Sequence, residues 1–213
     1  MRNMGRYIRL PETLGSLELQ LPPGVEELFE SMDTDDSDAE DRIPYWAEIW
    51  PSADGLIRFL LSGRGPSRPG LALELGSGLG LAGLAALRMN WNLYLSDFRP
   101  EALEYLRINL KNNGYAPERA RLVDWRSKPL LQYNSILGSD ILYEQRFLEP
   151  LSHFLQEALL PGAAAWIAEP GRPVSDAIVH GFREHFRVRE HAARSRVDGK
   201  WKRIRVLEIR TLR

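Results

Sequence analysis

Four glycines, Gly76, Gly78, Gly80 and Gly83, stand directly behind the apolar run Leu71–Leu75, which carries Glu74 as its one acid. Glycine has no Cβ, so a ligand can approach the backbone closely, and positive φ is permitted. Residues 81–89 are rich in helix formers. The spacing predicts a buried parallel strand, a tight turn and a crossover helix. A turn of this kind at the carboxyl end of a strand builds a nucleotide-shaped pocket. Gly78, Gly80 and Gly83 satisfy G-x-G-x-x-G, the dinucleotide fingerprint. A turn that only lets helix and strand pack closely satisfies it too.

Three acids close later apolar segments. Asp97 follows residues 91–96, 17 positions after Gly80. An acid there accepts hydrogen bonds from ribose hydroxyls. It can also cap the helix that begins near Arg99-Pro100, and the two roles are compatible. Asp124-Trp125 follows residues 121–123. Its carboxylate can accept from an adenine amino group while the indole packs on the ring face; a core tryptophan beside a turn aspartate is the alternative. Ser139-Asp140-Ile141-Leu142-Tyr143 follows residues 135–138. Group transfer would sit here, across the carboxyl edge from a bound nucleotide. An aspartate capping the next helix is the plain alternative. Tyr143 weakens it by bringing a second polar group to the same rim.

Positioning these side chains takes an alternation of strands and helices. Strands are expected at 71–75, 91–96, 121–123, 135–138 and 163–168, and helices at 51–61, 81–89, 99–113, 145–160 and 175–185. Residues 186–192 and 200–211 form a closing antiparallel pair, and 7–21 a short hairpin. Repeated β-α-β units demand a parallel sheet with right-handed crossovers. The expected architecture is α/β and Rossmann-like: a mostly parallel seven-stranded sheet with helices on both faces. Residues 1–50 are read as an extension (hairpin, acidic loop, tryptophan segment) before the main domain, 51–213.

Composition narrows the function. At 213 residues with a net charge of −1, the chain has no global electrostatic case for nucleic acid or an anionic membrane. No run is apolar enough for a membrane helix, and no apolar signal core follows the N-terminus. The chain has no cysteine, which excludes thiolate chemistry and agrees with a cytoplasmic setting. Its four histidines lack ligand spacing, so no metal is expected. Residues 32–42 are acidic and turn-rich, and read as a solvated loop. The Tyr-x-x-x-Lys pair of a nicotinamide enzyme is absent.

The motifs occur in a distinctive order: Pro44-Tyr45-Trp46-Ala47-Glu48-Ile49-Trp50-Pro51, Glu74-Leu75-Gly76-Ser77-Gly78-Leu79-Gly80, Asp124-Trp125, Asp140-Ile141-Leu142-Tyr143 and Glu169-Pro170-Gly171-Arg172. The glycine loop resembles the first motif of class I S-adenosylmethionine (SAM) methyltransferases. Together, over residues 43–173, the motifs resemble the seven-β-strand protein methyltransferases with a D-x-x-Y signature. Within these, they are similar to the lysine methyltransferases of the electron-transfer flavoprotein β-subunit. That resemblance implies SAM as cofactor and a lysine of a protein substrate as acceptor. It implies that Trp50, Gly76, Ser77, Gly78, Asp97, Trp125 and Ser139 contact SAM; Glu74, Gly80 and Asp124, in the same motifs, are expected to bind the cofactor as well. Asp140 and Tyr143 would face the substrate as the catalytic pair. The competing readings are an NAD(P)-dependent oxidoreductase and a methyltransferase acting on a small molecule or another side chain.

Overall fold

The computed structural model describes residues 6–11, 14–23, 27–28, 43–197 and 199–212. The acidic segment 32–42 lies outside the described residues. A hairpin of β1 (Arg6–Arg9) and β2 (Ser16–Leu19) comes first. Helix α1 (Pro51–Leu61) opens on a proline, where a missing amide hydrogen breaks no helical bond. Then follow β3 (Leu71–Leu75), α2 (Leu81–Arg88), β4 (Asn92–Asp97), α3 (Pro100–Asn112), β5 (Ala120–Leu122) and β6 (Tyr133–Ser139). The chain continues through α4 (Leu148–Ala158), β7 (Leu159–Glu169), α5 (Pro173–His185), β8 (Phe186–Val197) and β9 (Lys200–Thr211).

The large sheet has the order β5-β4-β3-β6-β7-β9-β8. Strands β3 to β7 run parallel, and β9 is antiparallel to both of its neighbours. Leu73, Leu75, Leu93, Leu95, Ile136 and Leu137 are fully buried, as expected for strands covered on both faces. One apolar cluster joins Leu56, Ile57 and Phe59 of α1 to α2, α3 and the sheet; the other joins Phe154 of α4 and Ile178 and Phe182 of α5 to the opposite face. The hairpin adds Leu17 and Leu19 to the first cluster. The Asn109 side chain of α3 accepts from the Gln20 amide at 2.6 Å, which fixes the hairpin to that helix. No helix among the described residues is long and apolar enough to cross a membrane.

Three elements differ from their expected bounds by more than two residues at one end. The helix expected at 145–160 is a short 3₁₀ turn (Gln145–Phe147) followed by α4. Pro150 lacks an N–H and is tolerated only in a first turn, which places the helix start at Leu148. β7 starts at Leu159 rather than 163, because Tyr133 pairs with Leu159 before the register jumps to Ser135 with Ala164. Pro161 and Gly162 sit in that bulge. β8 runs to Val197 rather than 192, because it pairs with β9 over its whole length.

Candidate active site

The carboxyl ends of β3, β4 and β6 open into one cleft, with an empty volume of about 870 Å³ counted into the open solvent at its mouth. The floor is the glycine loop. Gly76 and Gly78 hold left-handed φ values of +59° and +50°. The Gly78 N–H donates to Asp97 Oδ2 at 3.0 Å, and the Arg99 N–H donates to Asp97 Oδ1 at 3.1 Å. Asp97 is 4% exposed yet lines the cleft. Burial pushes its carboxyl above the ordinary range, against the pull of the amides of Arg99, Gly78 and Phe98. Three amides on the carboxylate's roughly four lone-pair sites leave room for a ligand hydroxyl.

Segment 43–50 closes the cleft from above. Its 3₁₀ turn, Tyr45–Ala47, passes so near the loop that a Cβ on Gly78 would lie 2.8 Å from the Trp46 carbonyl oxygen. Gly78 is therefore needed for the crossing chain. For Gly78→Ala the expected result is a Tm fall of several degrees, from an αL cost of about 1–2 kcal/mol plus the clash. Hydrogen exchange at 45–50 should speed up. An alanine variant with parental Tm and exchange would show that the crossing is dispensable.

Aromatic rings line the rim. Tyr45 meets Trp50 and Tyr143 at centroid distances of 6.0 and 5.5 Å. Tyr143 meets Phe147 at 5.1 Å, and Phe147 meets Trp125 at 5.5 Å. Trp50 donates its indole N–H to the Tyr45 carbonyl at 2.9 Å.

Asp140 stands just past the end of β6 with φ +61°, a left-handed residue that is not glycine. Aspartate tolerates that conformation better than most, and here its amide is held by the Ala168 carbonyl at 2.8 Å. Its Oδ2 accepts from Ser52 Oγ at 2.7 Å, and its Oδ1 pairs with the Arg172 guanidinium. Arg172 is held in turn by its own loop. Glu169, fully buried, accepts from the Gly171 N–H and from Ser175 Oγ, each at 2.6 Å, and pairs with Arg205.

Of the expected site residues, Trp50, Gly76, Ser77, Gly78, Asp97, Trp125, Ser139, Asp140 and Tyr143 line this cleft. Glu74, Gly80 and Asp124 do not. Gly80 faces inward: a Cβ on it would strike Leu106. Asp124 turns its carboxylate to the Arg126 side chain at 2.9 Å. Glu74 is buried behind the loop against Gly83. Sequence reasoning missed Ser52 and gave Arg172 no role. Ser52 had no signal, being a serine in a helical first turn; Arg172 had one in the Pro-Gly-Arg loop that follows β7.

The family model described as lysine methyltransferase matches residues 40–176. The chain belongs to the lysine methyltransferase family. Members resembling it include the electron transfer flavoprotein beta subunit lysine methyltransferase of Xenopus laevis, 31% identical over 136 residues, covering 61% of this chain and 53% of that protein. The protein N-lysine methyltransferase METTL21A of Danio rerio is 33% identical over 124 residues, covering 53% and 56%. The chain spans about half the length of the curated relatives it matches. Among solved structures, the N-methyltransferase NodS of Bradyrhizobium japonicum in complex with S-adenosyl-l-homocysteine superposes with a TM-score of 0.60 at 13% identity, covering 89% of this chain and 97% of that one. A ribosomal protein L11 methylase of Lactobacillus delbrueckii gives 0.58 at 17% identity, covering 73% and 77%. These likenesses agree with the Rossmann-like fold of this lysine methyltransferase family member.

Proposed function

We propose that this protein methylates a lysine side chain of a protein acceptor with SAM as cofactor, and that residues 1–50 are an extension on a methyltransferase domain of 51–213. The observation that carries this reading is the placement of Asp140 and Tyr143 on the rim of the cleft whose floor is the glycine loop. The family supports lysine as the acceptor. It lends nothing to the oxidoreductase alternative.

The cleft suits the cofactor's parts. Asp97 has carboxylate lone pairs for ribose hydroxyls. Trp125 offers an indole for adenine, and Ser139, Trp50 and the backbone at Gly76–Gly78 surround the remainder. When bound, SAM supplies a methyl group on a sulfonium that is already a good leaving group. The protein's own work is alignment, since reacting atoms held in line gain most of the available acceleration. Asp140 orients the incoming amine. Tyr45, Trp50 and Tyr143 exclude water from it. Arg172 and Ser52 offset the Asp140 charge, so the carboxylate can position the amine without holding it as ammonium. The Nζ proton leaves to solvent.

Asp97→Ala should weaken SAM binding tenfold or more, because charge-assisted hydrogen bonds are worth about 1.5–3 kcal/mol each. Asp97→Asn, which keeps one acceptor oxygen, should fall between. Calorimetry with SAM and NAD on the same preparations checks this. NAD binding without SAM heat would defeat the reading, and an unaltered SAM affinity in folded Asp97→Ala would place the ribose elsewhere.

A further inference from the structure

The β8–β9 hairpin outruns the sheet on the side where the cleft lies. Glu169, the last residue of β7, pairs with Arg205, and Arg205 pairs with Ala192. Beyond that register, β8 and β9 continue with no support from β7, roughly 13 Å to the Arg196–Trp201 pair. Arg172, which reaches Asp140 in the cleft, leaves β7 at this same end. Helix α1 flanks the overhang. Its first turn supplies Ser52 to Asp140, and its Asp54 accepts from the Arg196 amide at 2.6 Å.

The overhang is cationic. Arg194 and Arg203 face each other directly across the ladder, where like charges repel. Neither has a carboxylate partner among the described residues. With Arg58 and Arg64 they line one groove, and Trp201, 56% exposed, lies in it. The Arg58 and Arg196 guanidiniums stack over that indole at 5.2 and 5.7 Å from its centroid. β8 is also the edge strand. The Ala192 carbonyl accepts from Arg64 at 2.9 Å and the Arg196 amide donates to Asp54, so both point away from β9. By the two-residue period, the N–H and C=O of Arg194 between them also point outward. Charged side chains alone are an ordinary guard against edge pairing. A guard needs neither a facing arginine pair nor a stacked tryptophan.

We propose that this groove docks an acidic, extended segment of the protein acceptor, so that the acceptor lysine is delivered to the neighbouring cleft; the acceptor part rests on the methyltransferase reading above. The cations in the groove are guanidiniums, whose planar forks match carboxylates. Trp and Arg are the residues that most often anchor interfaces. An added strand would satisfy the outward Arg194 backbone. The patch is short, with Asp54 pairing Arg58 at 2.9 Å on one side and Glu190 pairing Arg205 at 3.3 Å on the other, which suits a peptide rather than the long phosphate track of a nucleic acid.

A fluorescein-labelled octaglutamate peptide tests the docking by anisotropy. The full chain should bind it, at least tenfold more weakly when salt rises from 50 to 200 mM. Arg194→Glu with Arg203→Glu should lose at least tenfold more, with SAM affinity unchanged. No binding at 50 mM salt, equal binding by the double variant, or tighter binding of a thymidine octanucleotide would overturn the proposal, the last in favour of nucleic acid. Cell extract labelled with radioactive SAM tests the acceptor part. Octaglutamate should inhibit protein labelling by the full chain in competition with the extract. Octaglutamate binding without such inhibition would overturn delivery of the acceptor. An absence of SAM binding would instead strike the methyltransferase reading and leave the peptide result standing.

Discussion

Asp140→Asn should leave SAM affinity nearly unchanged and lower methyl transfer by about a hundredfold or more. The amide keeps the size and can still accept from Ser52, but it removes the charge that pairs with Arg172 and would orient an incoming ammonium. Misplacement by about 1 Å can cost 10²-fold when the protein's contribution is alignment. Arg172→Ala separates the two halves of this argument. It leaves Asp140 uncompensated, and an uncompensated carboxylate holds a nearby amine in its protonated form. The rate at neutral pH should fall, and the rising limb of the pH–rate profile should move to higher pH. Binding and rate measured on the same preparations decide both. Wild-type transfer by Asp140→Asn would make the D-x-x-Y segment structural, and an unmoved profile for Arg172→Ala would remove Arg172 from the charge balance.

The other large effect is on stability. Burial pushes the Glu74 carboxyl from its ordinary value of 4.5 up to about 8, aided by the Asp97 charge and opposed by Ser77 and the Gly83 amide. Its Oε2 has no hydrogen-bond partner among the described residues, as a neutral acid tolerates better than an anion. An acid raised in the folded state binds a proton there that the unfolded chain has already lost. Stability contributed by this proton is therefore complete below about 4.5 and is lost as pH rises toward 8, at about 1.4 kcal/mol per pH unit. Glu74→Gln removes the titration. The Tm difference between variant and parent should grow in the variant's favour from pH 5 to pH 8, by about 3–5 °C per unit. A difference that stays flat with pH would show that Glu74 is ionised in the folded protein.

The strands and helices were legible because their signals are local. The run Leu71–Leu75 ending in glycines, and prolines at the first turns of α1 and α3, each dictate structure within a few residues. The site was legible where it rests on strand ends: Asp97, Trp125, Ser139 and Asp140 arrive at one edge because parallel strands bring all their carboxyl ends together. Contacts between distant segments left no such trace. Ser52 lies 88 positions from Asp140, and nothing in its neighbours marks it. Asp124 and Trp125 are adjacent, yet only the indole enters the cleft, because Arg126 two positions beyond claims the carboxylate. Gly80 and Gly78 are alike in sequence but serve opposite sides of the loop, one against Leu106 and the other under Trp46.

The position of β9 sets an order of events during synthesis. This strand, residues 200–211, is threaded between β7 and β8. When β8 has been made, it has no sheet neighbour, and β7 still presents a bare edge. Neither is resolved until those dozen residues leave the ribosome and insert. For that interval the nascent chain carries exposed strand edges beside a formed apolar core, the condition in which β proteins associate wrongly. Emergence of β9, rather than of the glycine loop, is then the moment at which the sheet can close, and a slow search for this non-local pairing should dominate refolding from denaturant.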